Sequence, residues 1–334
     1  MILAGDLGAT KTHLAVFSPE KGPRHKLAEE KFQSRDFSSL EDLIHSFLDQ
    51  VGYTIEVACF GVAGPVVNGE ASITNLSWQL SEDTLAKKLH MKTVTLLNDL
   101  VAAATAVPVL EDSDFAVLNQ GTTQHGGTIG VIAPGTGLGE GYLIWNGAAY
   151  QPYPSEGGHT DFAPTNKLEA ELLRYLWKSY DHISYERLAS GIGLPNIYAF
   201  LKETSYAESP SWLEKQLQEA EDQTPVLVNA ALQKEDPPAI CRKTLEMFIS
   251  ILGAEAGNLA LKVLATGGIY LGGGIPPRIL SALHDGTFMQ SFTAKGRFLP
   301  FMENIPVRII LHPETALFGA SIRGLEEWQK RSKH

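Results

Sequence analysis

An amide and a carboxylate stand side by side at Asn98 and Asp99, between a β-branched apolar run at residues 93–97 and small residues at 100–106. The run predicts a buried parallel strand, and the small residues predict a helix that ends before Pro108. Ligands of open α/β sheets bind at the carboxyl ends of strands, and a helix N-terminus keeps a carboxylate ionised. Asn98 and Asp99 are therefore candidate ligand-binding residues. The alternative is that Asn98 or Asp99 only caps the helix.

Two turns that contain glycine and threonine separate pairs of predicted strands, at residues 5–12 and 134–141. Such turns expose backbone N–H groups and a hydroxyl, which are suited to phosphate oxygens. On spacing alone the first turn is more typical of an ordinary glycine hairpin, because it matches neither the P-loop nor the dinucleotide fingerprint. The recurrence of the pattern in two successive halves favours a duplicated α/β fold with a nucleotide between the halves.

Two further features extend this candidate site. Asp6, at the end of the first predicted strand, could hold Mg²⁺ through water, because this cation keeps much of its hydration shell. Another predicted strand ends in Gly272, Gly273 and Gly274, where glycines would let a flat ring lie on the backbone. The three glycines are a candidate seat for adenine and ribose.

A polar loop at residues 155–164 is dense in hydrogen-bonding side chains, with Glu156, His159 and Asp161 beside two glycines. A surface turn is the alternative, but the grouping favours a binding loop. Further along, Glu186 stands on a predicted helical turn that stops at a glycine. From its context alone, Glu186 is a solvated helix charge.

The composition excludes several classes of protein. The 334 residues are enough for two domains, and 44% hydrophobic with 19% charged residues is typical of a globular chain. A net charge of −11 without a lysine or arginine run argues against nucleic-acid binding. Only Cys59 and Cys241 are present, which suits a reducing cytoplasm. We expect no signal peptide and no membrane span, because no uncharged apolar run approaches roughly 20 residues.

Hydrophobic periodicity and turn residues predict the elements that position these side chains. Strands are predicted at residues 1–7, 14–17, 24–32, 55–62, 93–97, 128–133, 142–145 and 307–311, with a hairpin at 66–74 and a loop at 75–78. Helices are predicted at residues 38–51, 81–89, 100–106, 167–177, 209–233, 240–264, 277–283 and 315–329. Small residues in the helix at 240–264 and in the last helix would let neighbouring helices approach closely.

The whole pattern resembles the sugar-kinase branch of the superfamily of actin-like ATPases, heat-shock ATPases and hexokinase. Residues 5–12 and 135–139 are similar to its two phosphate motifs, 267–274 to its adenosine motif, and 97–106 and 313–322 to its connecting motifs. Within this branch the chain resembles the bacterial ATP-dependent glucokinase family, on residues 155–164, 185–191, 295–298 and 305–307. The resemblance covers essentially the whole chain.

This resemblance implies a two-domain α/β architecture, a duplicated ribonuclease H-like fold of the actin and hexokinase type, with nucleotide and sugar in the interdomain cleft. The small domain would comprise residues 1–107 and 314–334, and the large domain residues 108–313. The implied reaction is ATP-dependent phosphorylation of D-glucose at the 6-hydroxyl, giving glucose 6-phosphate and ADP. ATP would be the co-substrate, Mg²⁺ the cofactor, and the enzyme a cytoplasmic homodimer that binds neither nucleic acid nor membrane.

The resemblance also implies a role for each matching residue. Asp99 would be the catalytic base, and Asp6 would hold Mg²⁺ through water. The glucose ligands would be Asn98, Asp99, Glu156, His159 and Glu186. The nucleotide ligands would be Gly5, Asp6, Leu7, Gly8, Ala9, Thr10, Gly135, Thr136, Gly137, Gly272, Gly273 and Gly274.

Two positions depart from the family pattern, and several alternatives stay open. Ala9 stands where the first phosphate motif usually has a second glycine, and Ser77 replaces a common proline. A related hexose or amino-sugar kinase is the first alternative. The repressor/kinase group shares a Glu-x-Gly-His loop, but its cysteine-rich zinc motif is absent here. A nucleotide-switch ATPase would lack the polar loop at 155–164, and a sugar-sensing repressor would need a helix-turn-helix before the first strand.

Overall fold

The computed structural model describes residues 1–73 and 76–332, which form two compact units. Unit 1 contains Met1–Glu111, Tyr150–Pro154 and the chain from His312 onward, and unit 2 contains Asp112–Ala149 and Ser155–Leu311. Residues 150–154, which the predicted boundaries assign to the large domain, are grouped with unit 1. The division into functional domains after residues 107 and 313 stays a prediction.

The elements are numbered in chain order. The strands are β1 (Ile2–Leu7), β2 (Lys11–Phe17), β3 (Lys26–Gln33), β4 (Val57–Val62), β5 (Val66–Val67), β6 (Glu70–Ser72), β7 (Gln79–Ser81), β8 (Thr93–Asn98), β9 (Phe115–Asn119), β10 (Ile129–Pro134), β11 (Leu138–Trp145), β12 (Tyr150–Ser155), β13 (Gly268–Leu271) and β14 (Val307–Ile310). The α-helices are α1 (Leu40–Val51), α2 (Glu82–Lys88), α3 (Asp99–Ala106), α4 (Lys167–Leu176), α5 (Gly193–Glu203), α6 (Ser211–Glu219), α7 (Gln223–Ala231), α8 (Ala239–Val263), α9 (Leu280–Leu283), α10 (Thr287–Thr293), α11 (Leu299–Glu303) and α12 (Thr315–Ser332). Short 3₁₀ helices lie at Ser34–Asp36, Val107–Val109, Asp112–Asp114, Gly157–His159, Tyr185–Arg187 and Gly296–Phe298.

Unit 1 is built on a five-stranded sheet in the order β3-β2-β1-β4-β8. β1 is antiparallel to β2 and parallel to β4, and β4 is parallel to β8. The register pairs Leu7 with Val62 and Val62 with Asn98. The first hairpin and the start of α3 therefore lie at the same sheet edge, as the sequence predicts for ligand-binding loops of an α/β fold.

The helices of unit 1 follow the predicted capping and packing signals. The Ser39 side chain accepts the Asp42 N–H at 3.1 Å and so begins α1, one residue after the predicted cap at Ser38. The predicted close-packing side of α12 is confirmed, because a Cβ at Gly319 would overlap the carbonyl of Ala102 in α3. The backbone of α3 at Ala102 is thus in direct contact with α12.

Unit 2 repeats this arrangement of a hairpin beside parallel strands. β11, β10, β13, β14 and β9 follow one another in its sheet. β10 is antiparallel to β11 and parallel to β13, and β13 is parallel to β14. The duplication predicted from the two turns is therefore present in the strand order.

The long helix α8 lies at the core of unit 2. Its buried positions occur all around the helix, as expected for a helix covered on every side. A Cβ at Gly257 would lie 2.6 Å from the Phe292 carbonyl oxygen, and one at Gly253 would overlap the Phe288 carbonyl. The small residues of α8 therefore admit α10 at close range, which confirms the predicted approach of another helix.

Several elements of the structure differ from the predicted ones or were not predicted. β11 begins at Leu138 rather than at residue 142, because the residues after Gly137 already pair with β10. Residues 209–233 form two helices, α6 and α7, rather than one. The helix predicted from residue 277 begins only at Leu280. β9 was not predicted, because it is a short edge strand with no fully buried residue.

The predicted hairpin around Asn68 and Gly69 is confirmed by β5 and β6, with both residues at positive φ. Its predicted end at Thr74 and the start of the predicted loop at Asn75 lie outside the described residues. Across the described part of the chain, no helix combines the length and the apolar composition that crossing a membrane requires.

Candidate active site

The first hairpin turn, between β1 and β2, is held by its own backbone and by hydroxyl groups. The Gly8 N–H donates to the Lys11 carbonyl at 3.0 Å. The Ser34 hydroxyl donates to the Gly8 carbonyl at 2.7 Å and lies 3.0 Å from the buried hydroxyl of Thr12. Ala9 lies outside the left-handed region, so the missing second glycine imposes no backbone strain. The turn is therefore closed by its own hydrogen bonds and is unstrained at Ala9.

Gly5 is glycine for a packing reason. A Cβ at this position would lie 2.7 Å from Phe60 Cδ1 and 2.8 Å from Leu14 Cδ2. Gly5 is within β1 rather than in the turn. Packing against Phe60 and Leu14 in the core thus requires a glycine at position 5. The role of Gly5 as a nucleotide ligand stays a prediction.

Asp6 and Asp99 interact electrostatically within unit 1. Burial, followed by the negative charge of Asp99, raises the pKa of Asp6 to about 6. Asp6 lies near the end of β1, and Asp99 is an exposed residue at the start of α3. Two carboxylates at one sheet edge create a site that favours a cation or an added proton.

Asn98 caps α3, so the capping interpretation is correct for this residue. Its Oδ1 accepts the N–H groups of Leu100 at 3.0 Å and Val101 at 3.3 Å, and its Nδ2 donates to the Gly64 carbonyl at 3.0 Å. The Leu100 N–H also lies 2.8 Å from Asp99 Oδ1. Because Asn98 already satisfies the helix end, Asp99 is not needed as the cap.

The second hairpin is braced by Glu186. The Gly135 N–H donates to the Gly137 carbonyl at 2.9 Å, which closes the turn between β10 and β11. The Leu138 N–H donates to Glu186 Oε2 at 3.0 Å, and a Cβ at Gly137 would overlap the same oxygen. Glu186 is half-buried on the 3₁₀ turn Tyr185–Arg187. The context-based interpretation of Glu186 as a solvated helix charge is therefore wrong.

The polar loop at 155–164 is attached to the segment that carries Glu186. The Phe162 N–H donates to the Ile183 carbonyl at 2.9 Å, and the Tyr185 N–H donates to the Thr160 carbonyl at 3.1 Å. The rings of Phe162 and Tyr185 pack edge to face at 5.6 Å. These contacts place the predicted sugar ligands of unit 2, Glu156, His159 and Glu186, on two segments that are bonded to each other.

The side chains of this loop are not equivalent. Glu156 and His159 are exposed on either side of the buried pair Gly157 and Gly158. Asp161 Oδ1, in contrast, lies 2.9 Å from His182 Nε2, within hydrogen-bond distance. Glu156 and His159 are therefore available to a ligand, whereas Asp161 has a protein partner.

The glycines after β13 lie beside the second hairpin. The Gly272 N–H donates to the Ile132 carbonyl at 2.9 Å, and the Ile275 N–H donates to the Pro134 carbonyl at 3.3 Å. Gly273 has φ +79°, and a Cβ there would overlap the Pro134 carbonyl. Gly274 has open space around its Cα. The predicted adenosine and phosphate segments of unit 2 are therefore neighbours.

One cluster of histidine and carboxylate side chains in the described part of the chain could by geometry hold a metal, and it consists of His13, Glu29 and Glu314. Lys26 already pairs with both carboxylates, at 2.6 Å from Glu29, and Lys31 lies 3.3 Å from Glu314. Burial is the largest cause that lowers the pKa of His13. We assign this cluster as an ion-pair network rather than a metal centre.

Two residues that stabilise the hairpins and the polar loop, Ser34 and Glu140, are not predicted from the sequence. Ser34 braces the first hairpin from 26 residues away, and Glu140 is buried on β11. A signal for Glu140 existed, because a carboxylate within an apolar strand must face either solvent or a buried partner. No local signal pointed to Ser34.

The solved structures first define the class of protein. The chain is similar to the crystal structure of a glucokinase from an Antarctic psychrotroph, with a TM-score of 0.84 and 30% identity over 97% of this chain and 98% of that one. It shares its fold with a glucokinase from Balamuthia mandrillaris in complex with glucose, with a TM-score of 0.78 and 21% identity over 97% and 93% of the two chains. The fold is that of the two-domain actin-like sugar kinases, which confirms the predicted class.

The family follows from the sequence comparison. The chain belongs to the glucokinase family, whose model matches residues 3–326. It is 42% identical to the glucokinase of Nostoc punctiforme, over 96% of this chain and 98% of that protein. It is 38% identical to the glucokinase of Synechocystis, over 96% of each chain. The predicted family is confirmed.

Proposed function

We propose that this protein transfers the γ-phosphoryl group of ATP to the 6-hydroxyl of D-glucose, giving glucose 6-phosphate and ADP. The observation that carries the proposal is the contact of Glu186 with the second hairpin, through the Leu138 N–H at 3.0 Å. This contact joins a predicted sugar ligand directly to a predicted phosphate turn. An enzyme that phosphorylates a sugar needs both ligand sites in fixed relation, since phosphoryl transfer depends mainly on positioning.

Asp99 is the general base in this proposal. A sugar hydroxyl is a poor nucleophile, and a carboxylate that accepts its proton as the new P–O bond forms lowers the barrier. Asp99 is exposed, and Asn98 satisfies the end of α3 without it. The N-terminus of α3 also favours the ionised carboxylate that this role requires.

Glucose is held by hydrogen bonds from Asn98, Asp99, Glu156, His159 and Glu186 in this proposal. A hexose is a ring of hydroxyl groups, and carboxylates, an amide and an imidazole offer paired acceptors and donors for them. An epimer would leave one of these groups unpaired, which is costly in a desolvated pocket. The same residues would therefore provide both affinity and selectivity.

ATP is held by the glycine-containing segments. The first hairpin, with Leu7, Gly8, Ala9 and Thr10, and the second hairpin, with Gly135, Thr136 and Gly137, would face the phosphates. The N–H groups offered would be others than those of Gly8 and Gly135, which close the turns. The open backbone at Gly274, beside Gly273, suits a flat base and its ribose.

The residues around Asp6 fit the expected Mg²⁺. Burial, and then the charge of Asp99, raise the pKa of Asp6, and a hydrated divalent cation would favour the ionised form of both carboxyl groups. Asp6 would hold the cation through water. When bound, Mg²⁺ neutralises phosphate charge in phosphoryl transfer.

Two properties follow from the family resemblance and stay part of the proposal, namely a cytoplasmic location and a homodimer. The thiols of Cys59 and Cys241 are free and buried, which is compatible with a reducing compartment. Light scattering of the purified protein during size-exclusion chromatography measures the oligomeric state directly.

The proposed function is tested by assaying a panel of hexoses against several phosphoryl donors, with Mg²⁺ present. We expect the highest kcat/KM for glucose with ATP. A higher kcat/KM for mannose or glucosamine would instead identify a related hexose kinase. Stabilisation against heat by glucose and by ATP separately, without turnover of any sugar, would identify a sensor rather than a kinase.

A further inference from the structure

A network of polar side chains in unit 2 joins α8 to the 3₁₀ turn Tyr185–Arg187. Asn258 Nδ2 donates to Glu255 Oε2 at 2.8 Å and to the Tyr185 hydroxyl at 3.0 Å. Lys262 Nζ donates to Glu255 Oε1 at 3.2 Å, and Lys295 Nζ donates to Asn258 Oδ1 at 2.7 Å. We call these five residues the Glu255 network.

Glu140 of β11 faces this network. It is 1% exposed, and Glu255 is fully buried. The negative charge of Glu255 acts on the Glu140 carboxyl group. A hydrogen bond between two carboxyl groups needs one proton, because two carboxylates have no donor between them.

Glu140 is the carboxyl group whose environment favours an added proton. Glu255 accepts hydrogen bonds from Asn258 and from the ammonium group of Lys262. Glu140, in contrast, has no ion-pair partner among the described residues, and its Oε1 is buried without a hydrogen bond. The neutral acid is the form of Glu140 that this environment stabilises.

Glu140 directly supports the polar loop. A Cβ at Gly157 would overlap Glu140 Oε2, so the carboxyl group packs against the backbone of Gly157. Gly157 follows Glu156 and begins the 3₁₀ turn that ends at His159. Any movement of the Glu140 carboxyl group is therefore transmitted to the backbone between two predicted sugar ligands.

The Glu255 network reaches the other sugar-binding segment as well. The Tyr185 hydroxyl interacts with Glu255 and accepts from Asn258, and its backbone N–H donates to Thr160 of the polar loop. Glu186 is the next residue along the chain. The network thus contacts the segment that carries Glu186 and, through Tyr185, the polar loop that carries Glu156 and His159.

We propose that Glu140 is a positioning residue for glucose, which in its protonated form bonds Glu255 and holds Gly157, and thereby Glu156 and His159, in the binding conformation. When Glu140 loses its proton, two buried carboxylates repel each other beneath the loop, and glucose affinity falls. This inference rests on the proposed function. It assigns the network to the sugar step and not to the binding of ATP.

The burial and the charges around Glu140 indicate the pH at which it loses its proton. Burial, and then the charge of Glu255, raise the pKa of Glu140 from its ordinary value to about 8, against the opposite effect of Lys262. Glu140 is therefore neutral below that pH and ionises as the pH rises through it. The other titratable groups on the elements packed here are Tyr185 and Lys295 and, on the loop itself, Glu156 and His159.

The test measures the dissociation constant of glucose by calorimetry between pH 6.5 and 9.5, together with KM and kcat. In the wild type we expect the dissociation constant to rise above about pH 8, toward tenfold per pH unit, while kcat at saturating glucose stays constant. Glu140→Gln keeps the shape and offers an amide donor to Glu255. It should bind glucose within about twofold of wild type at pH 7, and the alkaline rise should disappear.

A matched control is Glu169→Gln, since Glu169 is 2% exposed in the same unit and bonds Thr165 and Ser250 instead. It should retain the wild-type pH profile. Glu140→Ala should weaken glucose binding at every pH while the KM for ATP is unchanged, and Glu140→Gln covers the case in which this variant does not fold.

An alkaline rise in Glu140→Gln equal to that of wild type would overturn the inference, and so would a pH-independent wild type. Both results leave glucose phosphorylation intact. Absence of glucose binding by the wild type would instead contradict the proposed function.

Discussion

The two glycine-containing hairpins occupy equivalent places in their sheets but are supported by different chemistry. In the first, the turn after Leu7 is braced by the hydroxyl of Ser34, and the nearby charge is Asp6, on the incoming strand. In the second, the turn at Gly135–Gly137 is braced by a carboxylate from elsewhere in the chain, that of Glu186. One hairpin has its own charged group, and the other takes its charged group from a distant segment.

This difference separates the two proposed tasks. In the proposed function, the acidic edge at Asp6 and Asp99 in unit 1 would attract a cation and accept a proton, which are requirements of the reaction itself. The carboxylate on the second hairpin belongs to the proposed glucose ligands, so this turn would couple phosphate binding to sugar binding. The variants below should therefore change kcat or nucleotide binding in unit 1, and glucose affinity in unit 2.

The largest effect is expected for Asp99→Ala. We expect kcat at saturating glucose and ATP to fall by roughly 10²–10⁴-fold, because a positioned base is lost. Folding should be normal, since Asn98 continues to accept the Leu100 N–H at 3.0 Å. Steady-state kinetics and a thermal melt measure the two effects. Asp83→Ala removes another exposed first-turn aspartate, from α2, and should leave kcat unchanged.

A kcat of Asp99→Ala close to that of wild type would remove the base from unit 1. Asp99 would then be a helix-terminal charge only, and unit 1 would not supply the base.

Glu186→Gln should change glucose affinity through the second hairpin, in unit 2. The amide oxygen of glutamine can still accept the Leu138 N–H, so the second hairpin keeps its brace. A charge-assisted bond to a sugar hydroxyl contributes about 1.5–3 kcal/mol, so glucose affinity should fall by roughly tenfold to a hundredfold. Affinity for ATP should change little. Calorimetric titrations with each ligand separate the two.

The contacted hydroxyl can be identified with deoxyglucose analogues in a double-mutant cycle. The analogue that lacks this hydroxyl should bind Glu186→Gln and wild type about equally. Glucose titrations of the variant that match wild type would leave Glu186 as a brace of the hairpin and nothing more.

The sequence predicted what local pattern determines. Both hairpins, the strand that ends at Asn98 and the close-packing side of α12 at Gly319 follow from residue types within a few positions of one another. The capping role of Asn98 was predicted as an alternative and is present together with an exposed Asp99.

The long-range supports could not be predicted from local pattern. Glu186 lies 48 residues from its partner Leu138, and its own neighbours form an unremarkable helical turn. Only the family resemblance distinguished it from a surface charge. Glu140 was visible as a charge within a strand, but its partner Glu255 lies on α8, and no sequence rule pairs the two.

Asp6→Asn tests the cation side of the first hairpin through pH. The pKa of Asp6 is raised to about 6, so in the wild type the carboxyl group gains a proton as the pH falls through that value. Affinity for Mg²⁺·ADP, measured by calorimetry, should therefore decline below about pH 6 in the wild type. In Asp6→Asn it should be low throughout, without this decline, while glucose affinity is unchanged.

Asp99→Asn is the companion variant for this measurement. It removes the neighbouring negative charge that contributes to the raised pKa of Asp6, so the acid decline should move to lower pH. Equal metal dependence of Asp6→Asn and wild type would return Asp6 to a purely structural role at the end of β1.

The smallest effect is expected from two single alanine variants in the second hairpin. They test the contact between Glu186 and this hairpin. Both Gly135 and Gly137 have ordinary negative backbone angles, so alanine brings no strain in φ at either position. A Cβ at Gly137 would overlap Glu186 Oε2, whereas a Cβ at Gly135 has nothing within 4 Å. Gly137→Ala must therefore displace the Glu186 carboxylate, and Gly135→Ala leaves it in place.

We expect Gly137→Ala to raise the KM for glucose several-fold with little change in kcat, because Glu186 moves while Asp99 does not. Gly135→Ala should leave glucose affinity at the wild-type value, and any change in its KM for ATP reports on the phosphate that approaches this turn. Equal KM values for glucose in the two variants would mean that Glu186 does not bind sugar from its place on the hairpin. The second hairpin would then be supported, like the first, without being coupled to the sugar.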